Sequence, residues 1–328
     1  MPKRVPNTQT GSLTDHEHGT NDTLIRVGDT VLFGDAFEMF DSSRGGNDTM
    51  IGGPDGFEQL VGDAHSLFDN ARGGRDTLIG QSSGGGALWG DARELHDDAR
   101  GGNDTVIGGD GAANWVLFGD ALQMYGDSRG GSDTVIGGAG LQTTLIGDGG
   151  SMFDNARGGN DRLIAGDSDV SLLRGDGGVM LDDSRGGNDT LIGSASVSFL
   201  VGDGFEMQDN ARGGRDTLVS GTGTDHMWGD GQVINGVAAS PTEPTGTVRT
   251  AADTFVFAPD NGNDDINDFR QADHDRIDVS AWGFESLADL TIVDAGADTR
   301  IEFDATNSVT LVGIDDPAIL RDADFIFA

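Results

Sequence analysis

Residues 44–50 read RGGNDTM, and this string returns as RGGRDTL at 72–78, RGGNDTV at 100–106 and RGGSDTV at 129–135. It returns again as RGGNDRL at 157–163, RGGNDTL at 185–191 and RGGRDTL at 212–218. Its aspartates are Asp48, Asp76, Asp104, Asp133, Asp161, Asp189 and Asp216, an almost even spacing, and a degenerate first copy, GTNDTLI, adds Asp22. A second string, an apolar pair followed by GD, keeps the same period and places Asp35, Asp63, Asp91, Asp120, Asp148, Asp176, Asp203 and Asp230. Eight units therefore run from about residue 19 to 232. A constant register over that many copies is the mark of a stacked repeat, each unit too short to bury an apolar face alone.

Each unit holds two short strand candidates: the TMI, TLI or TVI after the aspartate, and the apolar pair before GD. Stacked at fixed period they predict an all-β fold, a parallel β-roll or solenoid of about eight 28-residue coils with two sheets. At a rung spacing of ~4.8 Å the stack is roughly 38 Å long. Alternation turns Leu24, Met50, Leu78, Val106, Val135, Leu163, Leu191 and Leu218 inward from one sheet. From the other it turns Leu32, Leu60, Leu88, Leu117, Leu145, Leu173, Leu200 and Met227 inward. Two outward apolar stripes remain, one from Ile25 to Val219, the other through Phe33, Val61, Trp89, Phe118, Ile146, Arg174, Val201 and Trp228. The inserts between GD and the next RGGND carry one apolar residue at a fixed register, such as Met39, Leu67 and Leu95. They are expected to fold back over one stripe; the other reading of the stripes is an interface.

Composition narrows the chemistry. Of 328 residues 55 are Gly, none is Cys, and 56 acidic residues against 20 basic ones give a net charge of -36. Only 8 of the acidic residues are Glu, so 48 are Asp. Without cysteine there is no disulfide framework and no thiolate metal site. No apolar run approaches the ~18 residues of a membrane span. So negative a chain is repelled by nucleic acid and by anionic membranes. Asp with Gly, rather than Glu, is the vocabulary of turns and of oxygen ligands for hard cations.

The repeat resembles the RTX, or hemolysin-type, calcium-binding family, whose nonapeptide is GGxGxDxUx with U a large apolar residue. The matching fragments are GGNDTMIGG at 45–53, GGNDTVIGG at 101–109 and GGSDTVIGG at 130–138. The coils here are longer than the two nonapeptides usual in that family. The resemblance implies calcium at the ladder Asp and Gly positions.

Charge arithmetic points the same way. Stacking makes each aspartate set a column, and two carboxylates ~4.8 Å apart repel by roughly 1 kcal/mol in water and ~3.5 kcal/mol at an effective dielectric of 20. Sixteen such groups rival a total stability of only about 5–15 kcal/mol. Several Ca²⁺ ions held by the sixteen ladder aspartates relieve this, with Asp253 and Asp264 as further ligands. GD and RGGND flank one turn, so the ions are expected along one rim. Arg44, Arg72, Arg100, Arg129, Arg157, Arg185 and Arg212 offer partial relief, and are read as pairing Asp41, Asp69, Asp97, Asp154, Asp182 and Asp209.

Outside the repeat, residues 1–18 read as an N-terminal tail and 233–250, with Pro241 and Pro244, as a linker. Residues 251–328 resemble the C-terminal domain of serralysin-type secreted metalloproteases, through DTFVF, INDF, DRIDVS and VTLVGI. That resemblance implies a cap on the solenoid and an uncleaved type I export signal, with Asp324-Phe325-Ile326-Phe327 at its end. A secreted or cell-surface location follows, with folding on calcium after export. No catalytic constellation stands out: GQSSG at 80–84 and GDSRG at 126–130 lack the strand–helix context of a nucleophile elbow. His16-Glu17-His18 is not the H-E-x-x-H zinc signature. The expected role is non-enzymatic, structural or interactive, with self-association or an extracellular polysaccharide as partner. Two rival readings are a polysaccharide-active module of an exported enzyme and a calcium-dependent ice-binding protein.

Overall fold

The computed structural model describes residues 10–27, 31–54, 56–81, 84–111, 113–242 and 245–328. The chain winds as a stack of parallel coils, one for each sequence repeat, and each coil contributes a strand to three sheets rather than two. Sheet I collects the short segments after the RGGND aspartate, from Thr23–Ile25 and Thr49–Ile51 to Thr217–Val219. Sheet II collects the segments before GD, such as Glu58–Val61, Asn114–Phe118 and Thr224–Trp228. Sheet III is built from the inserts: Ala64–Leu67, Ala92–Leu95, Ala121–Met124, Gly149–Met152 and their neighbours. Pairing is in phase, so that Thr105, Val106 and Ile107 lie beside Thr134, Val135 and Ile136.

In-phase stacking puts like beside like and produces two separate cores. Between sheets I and II lies the main one, where Met50, Leu60, Leu78, Leu88, Leu117, Leu145 and Met227 are fully buried, as alternation predicts. Behind sheet III lies a smaller one of Met39, Leu67, Leu95, Met124, Met152, Met180 and Met207 interleaved with Ala71, Ala99, Ala156 and Ala211. The fixed-register apolar residue of each insert therefore faces a core of its own. The outward stripe of sheet II is covered nonetheless, because sheet III folds against it at an angle. Val61, Trp89, Phe118 and Ile146 are buried, with the Arg93 guanidinium 4.9 Å over the Trp89 ring and Phe37 edge-on to Phe33 at 5.7 Å. The stripe of sheet I stays at the surface: Ile25 is exposed, and Ile51, Ile79 and Ile107 are half-buried.

Both ends differ from the sequence reading. Ser12–Leu13 pairs with Glu38–Met39 and Leu13 is buried, so residues 12–18 belong to the first coil rather than to a tail. The stretch read as a linker is part of a ninth coil. Val233 and Ile234 pair with Glu206 and Met207, Val248 is buried in the smaller core, and Arg249 bridges to Arg212. An insertion holding the antiparallel strand Val237–Ala238 breaks the period there. Residues 251–328 then cap the stack. Thr254–Val256, Arg276–Asp278 and Phe325–Ile326 extend sheet I, and Asn263–Ile266 extends sheet II. The strands Thr291–Asp294, Thr299–Glu302 and Ser308–Leu311, antiparallel to one another, extend sheet II further, with Thr291–Asp294 outermost. The Asp324–Phe327 end thus supplies the last strand of sheet I, with Phe325 buried.

Candidate metal centre

Coil closure decides where the aspartates sit. The chain leaves sheet II through GD, runs along sheet III, turns, and returns through RGGND to sheet I. The two strings meet, as when Gly74 N–H donates to both carboxylate oxygens of Asp63 at 3.0 Å. Asp columns and glycines therefore form a waist between the two cores, not a solvent-facing rim. Asp35 through Asp230 in the GD column and Asp48 through Asp216 in the RGGND column are all at most 3% exposed. Glycine is needed at the waist because the coils touch: a Cβ on Gly74 would lie 1.5 Å from the Gly46 carbonyl oxygen.

The RGGND column ties each coil to the next, and the GD column ties each coil to its own return segment. The backbone N–H of Asp48 donates to Asp76 Oδ1 at 2.7 Å, Asp76 to Asp104 at 2.7 Å, Asp104 to Asp133 at 2.6 Å, and Asp133 to Asp161 at 2.7 Å. Asp161, Asp189 and Asp216 continue the chain to Asp253. In the GD column the donor is a glycine of the RGGND string: Gly102 N–H to Asp91 Oδ1 at 2.7 Å, Gly159 to Asp148 at 2.7 Å, Gly187 to Asp176 at 2.6 Å. Asp63 and Asp120 accept from a glycine on both oxygens; in most of the others these bonds occupy one oxygen of the carboxylate. The other, Oδ2 of Asp48, Asp76, Asp104, Asp133, Asp161, Asp189 and Asp216, is buried without a partner. So is Oδ2 of Asp91, Asp148, Asp176 and Asp203, and Oδ1 of Asp35.

The two columns face one another. A Cβ on Gly73 would meet Asp91 Oδ1 at 1.7 Å and Asp63 Oδ2 at 2.6 Å, so GD carboxylates of consecutive coils converge on that glycine. A Cβ on Gly62 would meet the Gly90 carbonyl oxygen at 1.6 Å and Asp76 Oδ2 at 2.4 Å. The waist is thus a file of carboxylate and carbonyl oxygens walled by hydrocarbon.

Such burial disfavours charge. Burial is the main cause that pushes the carboxyls up: Asp35 and Asp176 to about 6, Asp48 to about 8, and Asp63, Asp76, Asp133, Asp148 and Asp189 well above the ordinary carboxylate range. Neighbouring carboxylates add to it, Asp76, Asp35 and Asp104 acting on Asp63. Alone, the waist at neutral pH is either partly protonated or strained. The chemistry of the donors fits a hard cation: oxygens only, anionic, with one lone oxygen left over on most of the ladder aspartates. They arrive two carboxylates per coil. Among the described residues no group of three or more acidic or histidine side chains is arranged to hold a metal ion. A cation at the waist would draw on the aspartates of consecutive coils together with glycine carbonyls.

The outlying residues fall in three places. Asp22, at the first coil, is half-buried; its N–H donates to Asp48 Oδ1 at 2.6 Å. Asp253 is buried and continues the RGGND column. Asp264 lies apart, at the opposite corner of the coil, beside Asp225. Ser220 Oγ donates to Asp264 Oδ2 at 2.9 Å and to Asp225 Oδ2 at 3.1 Å, Asp225 N–H donates to Asp264 Oδ1 at 2.9 Å, and Asn261 Nδ2 donates to Asp264 Oδ2 at 2.8 Å. Asp225 Oδ1 and Asn261 Oδ1 are buried without partners, and burial pushes Asp264 up to about 7. The acidic oxygens are therefore not confined to one side of the coil.

Three buried aspartates escaped the sequence reading. Asp225 stands in SGTGTDHMW at 220–228, itself close to the nonapeptide, but occurs once. Asp268 accepts from Gly229 N–H at 2.8 Å and Asp230 N–H at 3.2 Å. Asp275 accepts from Asp253 N–H at 3.1 Å and Arg270 N–H at 2.7 Å. These two extend both columns by one rung into the cap. The signal was DRI at 275–277, which pairs with the DTF at 253–255 as one repeat with the next.

The Arg–Asp ladder does not form. Asp41, Asp69, Asp97, Asp154, Asp182 and Asp209 instead adopt left-handed turns, φ 56 to 59°, where Gly126 takes the same place with φ 70°. Their side chains accept backbone N–H groups from the preceding coil, as Asp69 does from Asp41 at 3.2 Å. Among the described residues no arginine of the column joins an ion pair.

No known family model matches this chain, and no curated protein matches it either.

Proposed function

We propose that the chain is a calcium-binding β-solenoid of RTX type, exported through its C-terminal segment and completed by calcium outside the cell, where it has a structural or interaction role. The observation that carries this is the file of buried, half-satisfied carboxylates at the waist. Single unpartnered buried polar atoms cost about 1–3 kcal/mol each, more when charged, and the columns repeat that cost at every coil. A divalent ion offsets it by neutralising two carboxylates and accepting their free oxygens. Because the ligands come from consecutive coils, the site exists only when the coils are stacked, so binding free energy becomes folding free energy. In a compartment poor in calcium the columns repel and the chain stays open, suited to threading. Near-millimolar calcium outside fills sites of modest affinity. No helix among the described residues is long and apolar enough to cross a membrane.

The test is far-ultraviolet circular dichroism during a calcium titration, with magnesium as control. The β signal should grow cooperatively with calcium and not with equal magnesium. A full β signal in chelator, unchanged by calcium, refutes the reading. A truncation lacking residues 324–328 tests export separately: it should be retained in a cell whose type I exporter secretes the full chain.

A further inference from the structure

The arginine column is a periodic feature that the calcium reading leaves unused. Eight arginines, from Arg44 to Arg249, occupy successive coils and bridge backbone to backbone, Arg44 to Arg72, Arg72 to Arg100, and so on to Arg249. They make up eight of the 19 arginines in a chain of net charge -36. Among the described residues none of their guanidiniums makes an ion pair, and Arg212 Nε is buried without a partner. At ~4.8 Å per rung the column is roughly 34 Å long.

Two grooves flank the column, one at each end. At its N-terminal end a cavity of about 470 Å³ is lined by Arg44, Asn47, Arg75 and Asn103 over a floor of Gly45, Gly73 and Gly74. At its C-terminal end a cavity of about 500 Å³ is lined by Arg212, Arg249, Asn210 and Asp183. Glycine at the floor of the first lets a ligand approach the backbone closely. Along the column, the residue before each RGGND aspartate makes an amide wall of asparagine or serine on most coils, with Arg75 and Arg215 on two of them.

We propose that the arginine column, with the grooves at its two ends, binds a linear carboxylated polysaccharide, a polyuronate, running parallel to the solenoid axis. A planar guanidinium fork matches a carboxylate in two parallel hydrogen bonds, and the amide wall offers donors and acceptors to sugar hydroxyls. A row of unpartnered like charges at rung spacing calls for a polymer that repeats its own charge on a similar scale, rather than for a small anion. The column runs from Arg44 to Arg249 over successive coils, as a polymer needs. Nucleic acid would bring a denser charge toward an acidic molecule, which disfavours it. The proposal names the partner of the interaction role inferred above and rests on the fold, not on the calcium sites.

The experiment measures fluorescence anisotropy of a labelled decameric oligogalacturonate at fixed calcium, against the full chain, the triple variant Arg100→Gln/Arg129→Gln/Arg157→Gln, and Arg300→Gln as a control outside the column. Decameric malto-oligosaccharide and dT10 are the competing ligands. The full chain and Arg300→Gln should bind the uronate, the triple variant at least tenfold more weakly, and malto-oligosaccharide should not compete. No uronate binding by the full chain, equal binding by the triple variant, or tighter binding of dT10 overturns the proposal. Circular dichroism of each protein confirms the fold. A chain that folds with calcium yet ignores the uronate sinks the polyuronate proposal alone. If the triple variant fails to fold, the salt dependence of the full chain decides: affinity should fall steeply between about 50 and 200 mM salt, roughly as the counterion argument requires, and an unchanged affinity overturns the proposal.

Discussion

Stripping divalent ions should invert the usual effect of pH on an acidic protein. Asp176 and Asp268 are fully enclosed, and burial pushes both to about 6 from an ordinary 3.8. A carboxyl raised in the folded state binds its proton more tightly folded than unfolded. Its contribution is therefore fully present below about 3.8 and is lost as pH climbs through about 6. Two units amount to about 3 kcal/mol for each group, of which about two thirds falls above pH 4.5. The pair alone then withdraws about 4 kcal/mol between pH 4.5 and 8, a large part of a stability of roughly 5–15 kcal/mol. Asp48 and Asp275, raised to about 8, extend the loss upward, and enclosed aspartates such as Asp63, Asp76, Asp133 and Asp148 act in the same direction. In metal-free buffer the fold should therefore hold best near pH 4.5, with a melting temperature that falls by roughly 10 °C or more as pH rises and an open chain as the end point near pH 8. Saturating calcium should reverse the slope, because the metal needs deprotonated ligands. The assay is thermal melting by circular dichroism at half-unit pH steps. A metal-free melting temperature that is flat or rises from pH 4.5 to 8 would refute the burial argument.

Two substitutions separate the roles of charge and packing at the waist. Asp104→Asn keeps the oxygen that accepts from Asp76 N–H and removes a buried charge; it should raise the metal-free melting temperature at pH 7.5 while lowering bound calcium by about one ion in equilibrium dialysis. A lower metal-free stability would show that the carboxylate is needed for packing rather than for the cation. Gly74→Ala places a methyl group 1.5 Å from the Gly46 carbonyl oxygen, and moving two coils apart should cost several kcal/mol; wild-type denaturation midpoints with calcium present would contradict the closeness of the coils.

Much of this architecture was legible because it repeats. The period, both aspartate columns and the inward residues of sheets I and II follow from identical strings at equal intervals. What repeats weakly was not. The strand of sheet III varies from AHSL to AREL to GGSM, and one apolar residue per coil did not distinguish a cover from a second core. The waist depends on Gly74 meeting Asp63 across a closed coil, a long-range contact that spacing alone placed at a rim. An insertion hid the ninth coil, and Asp268 stands much closer to Asp275 along the chain than Asp63 does to Asp76. The arginines were paired by arithmetic, but the left-handed turns at Asp41 and its equivalents point those carboxylates to backbone N–H groups instead.

The most direct measurement is crystallographic: anomalous scattering from crystals grown in calcium, with difference density examined along the waist between Asp35 and Asp275. Calcium-filled coils should give a row of anomalous peaks between the two aspartate columns, within bonding distance of the free Oδ2 atoms. Well-stacked coils with no peak along that row would contradict the central claim.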